Sequence, residues 1–332
     1  MADVAVLGAS GYAGALAAQL VHRHPFFSLK HVTARAEAGM ALDVLHPRTR
    51  VPLTLEEFDP GAHGEVDAAL VAWPHGAAAP AVAALRERGV RVVDLSADFR
   101  LRDVAVYEDW YGPHGAPALM AEAVYGLPEL YREQIAGAQL VANPGCYPTA
   151  ALLGLAPLAR AGLLGDVVID AKSGVSGAGR DPSATTHFVS AAENVTPYKV
   201  DSHRHTPEIE QELAVLGSEL AITFTPHLVP LAQGELISAY VTPTRAVSEG
   251  ELVDLFVAAY DAEPWVELRS GPPGVLEVRD TNYCRISVHH DPRTGRVLVF
   301  AAIDNLWKGS ASQAVQNLNL MFGRDESEGL LA

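Results

Sequence analysis

The chain has 332 residues, of which 49% are hydrophobic and 19% charged, so it is long enough for two domains around a sizeable core and is balanced like an ordinary globular protein. A formal charge of −16 excludes non-specific binding to nucleic acid or to anionic membranes. It also requires that any anionic substrate be held by a local cluster of donors, because the overall field repels it.

Met1-Ala2-Asp3 leads straight into a strand pattern, Val4 to Leu7, with no signal-peptide core and no apolar run of membrane-spanning length, so a cytoplasmic location is expected. The strand runs into Gly8-Ala9-Ser10-Gly11-Tyr12-Ala13-Gly14, and an apolar helix pattern continues to about His22. Strand, glycine turn and helix are the parts of a dinucleotide-binding unit. Glycine lets the backbone approach a pyrophosphate, and the helix N-terminus faces its charge. Gly8, Ser10, Gly11, Tyr12 and Gly14 are the expected cradle, although the spacing is G-x-x-G-x-x-G rather than G-x-G-x-x-G. The second strand, Leu29 to Thr33, is followed by Arg35 where NAD-specific folds carry an acid. An arginine there can meet a 2′-phosphate, which points to NADP, with a solvated surface arginine near Glu37 as the alternative.

A third strand, Asp67 to Ala72, a helix, Ala77 to Arg88, and a fourth strand, Val90 to Leu95, predict a parallel, doubly wound sheet. Arg100 follows the fourth strand. It is either a fork for phosphate or carboxylate or half of a surface ion pair with Asp98 or Asp103. Tyr107 to Leu130 reads as a long excursion before the last strand, Leu140 to Asn143. Pro144-Gly145 then forces a sharp corner into Cys146-Tyr147-Pro148-Thr149 and an apolar helix pattern. A thiol at a helix N-terminus is activated by the partial positive charge there, so Cys146 is the expected nucleophile. Cys284 lies inside a strand pattern, and the two cysteines need no pairing in a chain of this size.

Beyond the corner the pattern becomes α+β, with strands at Val167 to Ala171, Ala221 to Thr225, Glu235 to Thr242, Cys284 to Val288 and Val297 to Ile303, and a helix at Glu249 to Tyr260. Lys172-Ser173-Gly174-Val175-Ser176-Gly177-Ala178-Gly179-Arg180 offers N–H groups, hydroxyls and cations to an anionic substrate. His203-Arg204-His205-Thr206-Pro207-Glu208 precedes a helix pattern, with Thr206 as expected cap and Pro207 at the first position. The two histidines lack a third ligand at metal-site spacing, so no metal is expected and His205 is an acid/base candidate. A last amphipathic helix spans Ser310 to Phe322.

Together these motifs resemble N-acetyl-γ-glutamyl-phosphate reductases of the aspartate-semialdehyde-dehydrogenase-like superfamily. The resemblance covers nearly the whole chain and is most specific at Asn143–Thr149 and Lys172–Arg180. It implies a Rossmann-like doubly wound parallel sheet (residues 1–145 and 306–332) and an α+β catalytic and oligomerisation domain with a mixed sheet (146–305). It also implies a homodimer or homotetramer. Cys146 would be the nucleophile and His205 the acid/base; Arg100, Ser173, Gly174 and Glu208 would bind or orient substrate, and Asn305 would lie near the nicotinamide. Two departures are visible: Gln233 stands where arginine is usual, and Ala34 where serine is common. The implied reaction is NADPH-dependent reduction of N-acetyl-γ-glutamyl phosphate through a Cys146 thioester, in arginine biosynthesis. Reduction of aminoadipyl or aspartyl phosphate, or a non-catalytic dinucleotide sensor, are the alternatives.

Overall fold

Short strands, apolar in the middle of the sheet and mixed at the edge strand Phe27–Thr33, build the first sheet. In the computed structural model, which describes residues 1–330, these are β1 (Ala2–Leu7), β2 (Phe27–Thr33), β3 (Ala68–Val71), β4 (Arg91–Asp94), β5 (Val124–Tyr125) and β6 (Leu140–Ala142). All pair in parallel, in the order β2-β1-β3-β4-β6-β5. Strands covered on both faces need apolar side chains on both, and every residue of β3 is buried. The strand order reverses beside β1, so the carboxyl ends of β1 and β3 form the switch point where such sheets bind ligands. One compact unit comprises Met1–Gly145 and the segment from Ser310; the other is Cys146–Gly309.

Two expectations for the first unit are corrected. The excursion after Leu101 is structured: a helix spans Val104–Tyr111, capped by Asp103 Oδ1 accepting from Ala105 N at 2.8 Å, and Pro128–Gly137 forms another. The C-terminal helix, Ser312–Met321, is buried all round rather than on one face. Several of its amide N–H groups are answered inside the unit: Gln313 and Asn317 donate to the Gly126 carbonyl at 3.1 and 2.8 Å, and Asn317 donates to Asn143 Oδ1 at 3.0 Å. Polar spacing that reads as a solvent face is a hydrogen-bonded seam here.

The second unit holds β7 (Leu164–Gly174), β8 (Thr196–Pro197), β9 (Thr223–Val229), β10 (Glu235–Pro243), β11 (Val266–Leu268), β12 (Cys284–Asp291) and β13 (Arg296–Ile303), in the order β11-β12-β13-β10-β7-β9-β8. The β7–β9 and β11–β12 pairs are parallel and the others antiparallel, so this sheet is mixed. The Cys146–Arg160 helix lies on one face of it. A Cβ at Gly154 would sit 3.2 Å from Val299 Cγ1 and 3.6 Å from Ile237 Cδ1, so a glycine admits the close approach. Pro157 lies within the helix and lacks the N–H that would bond the Leu153 carbonyl. The Tyr260 hydroxyl takes that place, donating to Leu153 O at 2.6 Å.

Candidate functional site

Cys146 is the first residue of its helix, which places the thiol at the end where backbone N–H groups have no intrahelical partner. The chain leading to it is fixed. Asn143 N donates to Asp94 O at 2.8 Å, its carbonyl accepts from Arg100 Nε at 2.7 Å, and its side chain donates to Ser310 O at 3.1 Å. Arg100 is therefore a buried residue, 8% exposed, with a second bond to Leu95 O at 2.9 Å, rather than a side chain on the surface. Neither cysteine is in a disulfide; Cys284 is fully buried in β12 and Cys146 is partly exposed.

Beside Cys146 lies an aromatic cluster that the sequence pattern left unassigned. The Tyr147 ring lies 5.6 Å from His203 and 5.8 Å from His205, and the two imidazoles are 4.8 Å apart. Tyr198 packs on His203 at 5.4 Å and donates its hydroxyl to Tyr147 Oη at 3.3 Å. The two histidines differ in environment. Burial, helped by Lys199 and Arg204, pushes the His203 imidazole down to about 4, and its Nδ1 accepts from His205 N at 3.2 Å. His203 is thus a neutral packing group at physiological pH. His205 is partly exposed and is itself the residue that precedes the Thr206–Val215 helix, one position earlier than the expected cap. Pro207 accordingly occupies the second helical position rather than the first. Glu208, on the first turn of that helix, is 1% exposed.

Ser173 and Gly174 are not loop residues; they end β7. Ser173 is 2% exposed and pairs across the sheet with Glu235. A Cβ on Gly174 would come within 2.9 Å of the Gln233 backbone and of Leu231 O, so glycine is needed there for packing. Asn305 is buried with its amide engaged at both ends: Oδ1 accepts from Gly234 N at 2.7 Å and Nδ2 donates to Ser176 Oγ at 3.0 Å. Gln233, in place of the usual arginine, donates to Asp304 Oδ2 at 2.7 Å and to Asp280 Oδ1 at 2.8 Å. A strongly placed group missed in the sequence is Glu235, fully buried at the start of β10. The signal was available: Glu235, Ile237, Ala239 and Val241 alternate on one face, so a carboxyl stands at an apolar position.

In the first unit the glycine turn has the geometry a dinucleotide needs. Gly8 has φ +82°, and a Cβ there would meet Ala72 O at 2.5 Å; one on Gly14 would meet Gly8 O at 2.2 Å. Gly11 precedes the Tyr12–Arg23 helix and no side chain caps it, which leaves the N-terminal amides facing an incoming phosphate. Ser10 O accepts from His46 Nε2 at 2.9 Å, and Tyr12 is 39% exposed at the helix start. The exposed Arg35 guanidinium lies 5.3 Å over the Trp73 ring, held without an acid at its strand end. Among the described residues one group, His31, Glu56 and His63, brings three ligand-type atoms within 4.8 Å. Both histidines already bond Glu56 Oε2, at 3.0 and 2.8 Å, so the group is satisfied as a hydrogen-bonded cluster.

Residues 3–138 match the semialdehyde dehydrogenase NAD binding domain, and residues 146–305 match the semialdehyde dehydrogenase dimerisation domain. The chain is 49% identical, over its whole length and 98% of the relative, to an N-acetyl-gamma-glutamyl-phosphate reductase of Desulforudis audaxviator. It is 48% identical, over 99% of its length and 98% of the relative, to the enzyme of that name from Syntrophobacter fumaroxidans. The chain belongs to the N-acetyl-gamma-glutamyl-phosphate reductase family. The family fold extends to more distant proteins. A crystal structure of aspartate semialdehyde dehydrogenase II from Vibrio cholerae aligns with a TM-score of 0.75 at 19% identity, covering 97% of this chain and 98% of that one. The Candida albicans aspartate semialdehyde dehydrogenase, solved with NADP, gives 0.72 at 16% identity over 97% and 98% of the two chains. A nicotinamide dinucleotide is the cofactor class of this family's NAD binding domain.

Proposed function

We propose that this chain reduces N-acetyl-γ-glutamyl phosphate to N-acetyl-glutamate semialdehyde with release of phosphate, using NADPH, as a step of arginine biosynthesis. The observation that carries the reading is the full-length similarity to reductases of that name, with a thiol outside any disulfide at the start of the Cys146–Arg160 helix. The Cys146 thiolate attacks the acyl-phosphate carbonyl, and phosphate departs to leave a thioester. Amides of the helix N-terminus stabilise the oxyanion. Bound NADPH supplies the hydride that reduces the thioester. His205 protonates the developing oxygen and later removes that proton as the thiolate leaves and the semialdehyde is released. Arg100, Ser173, Gly174 and Glu208 bind or orient the substrate: Arg100 through the carbonyl of Asn143, Ser173 and Gly174 through the end of β7.

Gly8, Ser10, Gly11, Tyr12 and Gly14 hold the pyrophosphate, Arg35 meets the 2′-phosphate, and Asn305 acts towards the nicotinamide by fixing the Gly234 amide and the Ser176 hydroxyl. The first unit serves as the dinucleotide-binding domain. The second serves as the catalytic and oligomerisation domain of a homodimer or homotetramer, in keeping with its match to a dimerisation domain. No described helix is long and apolar enough to cross a membrane, and the proposed location is the cytoplasm.

The test is NADPH absorbance with N-acetyl-γ-glutamyl, aminoadipyl and aspartyl phosphates at fixed enzyme concentration. The acetylglutamyl compound is expected to be preferred by kcat/KM; preference for either of the others overturns the substrate assignment. Cys146→Ser is expected to abolish turnover and retain NADPH binding, while Cys284→Ser keeps most activity. Robust reduction by the Cys146→Ser protein sinks the thioester mechanism.

A further inference from the structure

Glu235 is the charged group for which the fold gives no structural reason. It is fully buried, and neither carboxyl oxygen is bonded to a backbone amide or to a basic side chain among the described residues. Most buried carboxyls are paired, because an unanswered one costs the desolvation of a polar group. Asp94, equally buried, shows the usual solution: Ser96 N and Ser96 Oγ donate to it at 3.0 and 2.6 Å.

The register shows where the Glu235 side chain points. Strand residues two apart share a face, and Ile237, on that face, packs under Gly154 of the Cys146–Arg160 helix beside Ala301 and Val299. Across the β10–β13 ladder the pairs are Ala239 with Val299, Ile237 with Ala301, and Glu235 with Ile303, so the row runs along the underside of the helix towards its first residue. There Gly309 is wedged between the two: a Cβ on it would lie 2.8 Å from Cys146 Cβ and 3.2 Å from Ile303 Cδ1. Neither carboxyl oxygen has a hydrogen-bond partner there among the described residues, and the Cys146 thiol is the neighbouring group that bears on the carboxyl's proton affinity.

We propose that Glu235 is a further catalytic residue, the base that takes the proton from the Cys146 thiol as sulfur attacks the acyl phosphate, and the acid that returns it when the thiolate is released. In the first step the S–H bond breaks, the proton passes to a Glu235 oxygen, the C–S bond forms and the C–O bond to phosphate breaks. In the last step the C–S bond breaks, the hydroxyl proton of the thiohemiacetal goes to His205, and Glu235 reprotonates sulfur. The carboxyl ends as it began. This inference rests on the thioester reading above and adds the partner that the nucleophile requires.

Burial raises the Glu235 carboxyl to about 8, with the neighbouring Cys146 thiol acting against it and the negative charge of Asp304 acting in the same direction. That value lies near the ordinary range of a thiol, about 8.5. About a tenth of the carboxyl is ionised at pH 7 and about half at pH 8, so the form that receives the thiol proton grows towards alkaline pH while the form that returns it is present throughout. The titratable groups that face Glu235 are Cys146, Asp304 and the hydroxyls of Tyr147 and Tyr198.

Glu235→Gln keeps the shape and removes the proton acceptor; Glu235→Leu removes the buried polar group altogether and guards against a misfolded first variant. Two readouts are taken on the full-length protein: NADPH oxidation with the acyl phosphate, and substrate-free alkylation of Cys146 by iodoacetamide between pH 6 and 9. Both variants are expected to lose on the order of 10²-fold in kcat, with NADPH affinity unchanged. Alkylation at pH 7 is expected to slow by at least about tenfold, and its half-maximal pH to move upward. Alkylation within twofold of the parent, or a half-maximal pH that moves downward as removal of a mere negative neighbour dictates, overturns the proposal. The two readings fail separately: Cys146→Ser retaining activity removes the thioester mechanism, whereas intact turnover in both Glu235 variants beside a dead Cys146→Ser removes only the shuttle.

Discussion

Two histidines two positions apart have the same chemistry in sequence and different chemistry in place. His203 is 8% exposed, ringed by Tyr147, Tyr198 and Phe224, and held neutral down to about pH 4. A base with so low an affinity for protons is a poor shuttle near neutral pH. His205→Asn is therefore expected to lower kcat by about 10²–10⁴-fold with melting temperature and NADPH affinity nearly unchanged. His203→Asn is expected to cost stability more than rate. The reverse ranking in well-folded proteins, read by steady-state kinetics beside thermal unfolding, assigns the acid/base role to His203 instead. Arg35 is a second decision at this scale. Stacked 5.3 Å over Trp73, its guanidinium is held out in solvent with no acid at the strand end to favour ribose hydroxyls. Arg35→Ala is expected to raise KM for NADPH, leave KM for NADH unchanged and spare kcat, because the 2′-phosphate is bound alike in ground and transition states. Equal use of both cofactors by the parent protein would show that Arg35 is surface charge.

At the scale of elements, the Cys146–Arg160 helix contains a proline that propensity alone would place at an end. Its cost is met from outside the helix by the Tyr260 hydroxyl on Leu153 O. Tyr260→Phe deletes the donor while keeping the ring, and a buried carbonyl left unanswered costs about 1–3 kcal/mol. Chemical denaturation is expected to show a loss of that size, with the alkylation rate of Cys146 retained; no loss would mean that the carbonyl finds another partner. This bond is also an example of what the sequence withholds. The helix itself is legible, because its apolar run and the Pro-Gly corner are local signals. Likewise the glycine turn, the parallel strands and the glycine–serine segment announce themselves by composition over a few residues. Partners far apart along the chain do not. Tyr260 and Leu153, Glu235 and Cys146, and Arg100 and Asn143 each meet only through sheet register or helix packing. The strand alternation marked Glu235 as a charge on an apolar face, but only the β10–β13 pairing and the packing of Gly309 bring the end of that face towards Cys146. The same reason explains the misread C-terminal helix, whose amides find the Gly126 carbonyl and Asn143 across more than a hundred residues.

For the whole molecule, each compact unit buries a carboxyl whose protonation is linked to its stability, Asp94 in the first and Glu235, beside the similarly raised Asp304, in the second. Burial raises Asp94, in the first unit, to about 7 and Glu235, in the second, to about 8, from ordinary values of 3.8 and 4.5. Between the ordinary and the raised value the folded protein holds a proton that the unfolded chain releases, so stability falls as pH rises through that interval and levels off above it. His203 runs the other way. Lowered from 6.5 to about 4, it contributes stability above pH 6.5 that is lost as pH falls towards 4. From pH 6.5 to 8 only the carboxyls of this set act, and each lowers stability by at most about 1.4 kcal/mol per pH unit. Hydrogen exchange resolves the two units. Glu235→Gln is expected to flatten the decline for amides of β7, β10 and β13, and Asp94→Asn to flatten it for β1, β3 and β4. A decline that keeps its slope in both variants would mean that other groups set the alkaline limit, and the buried carboxyls would lose that role.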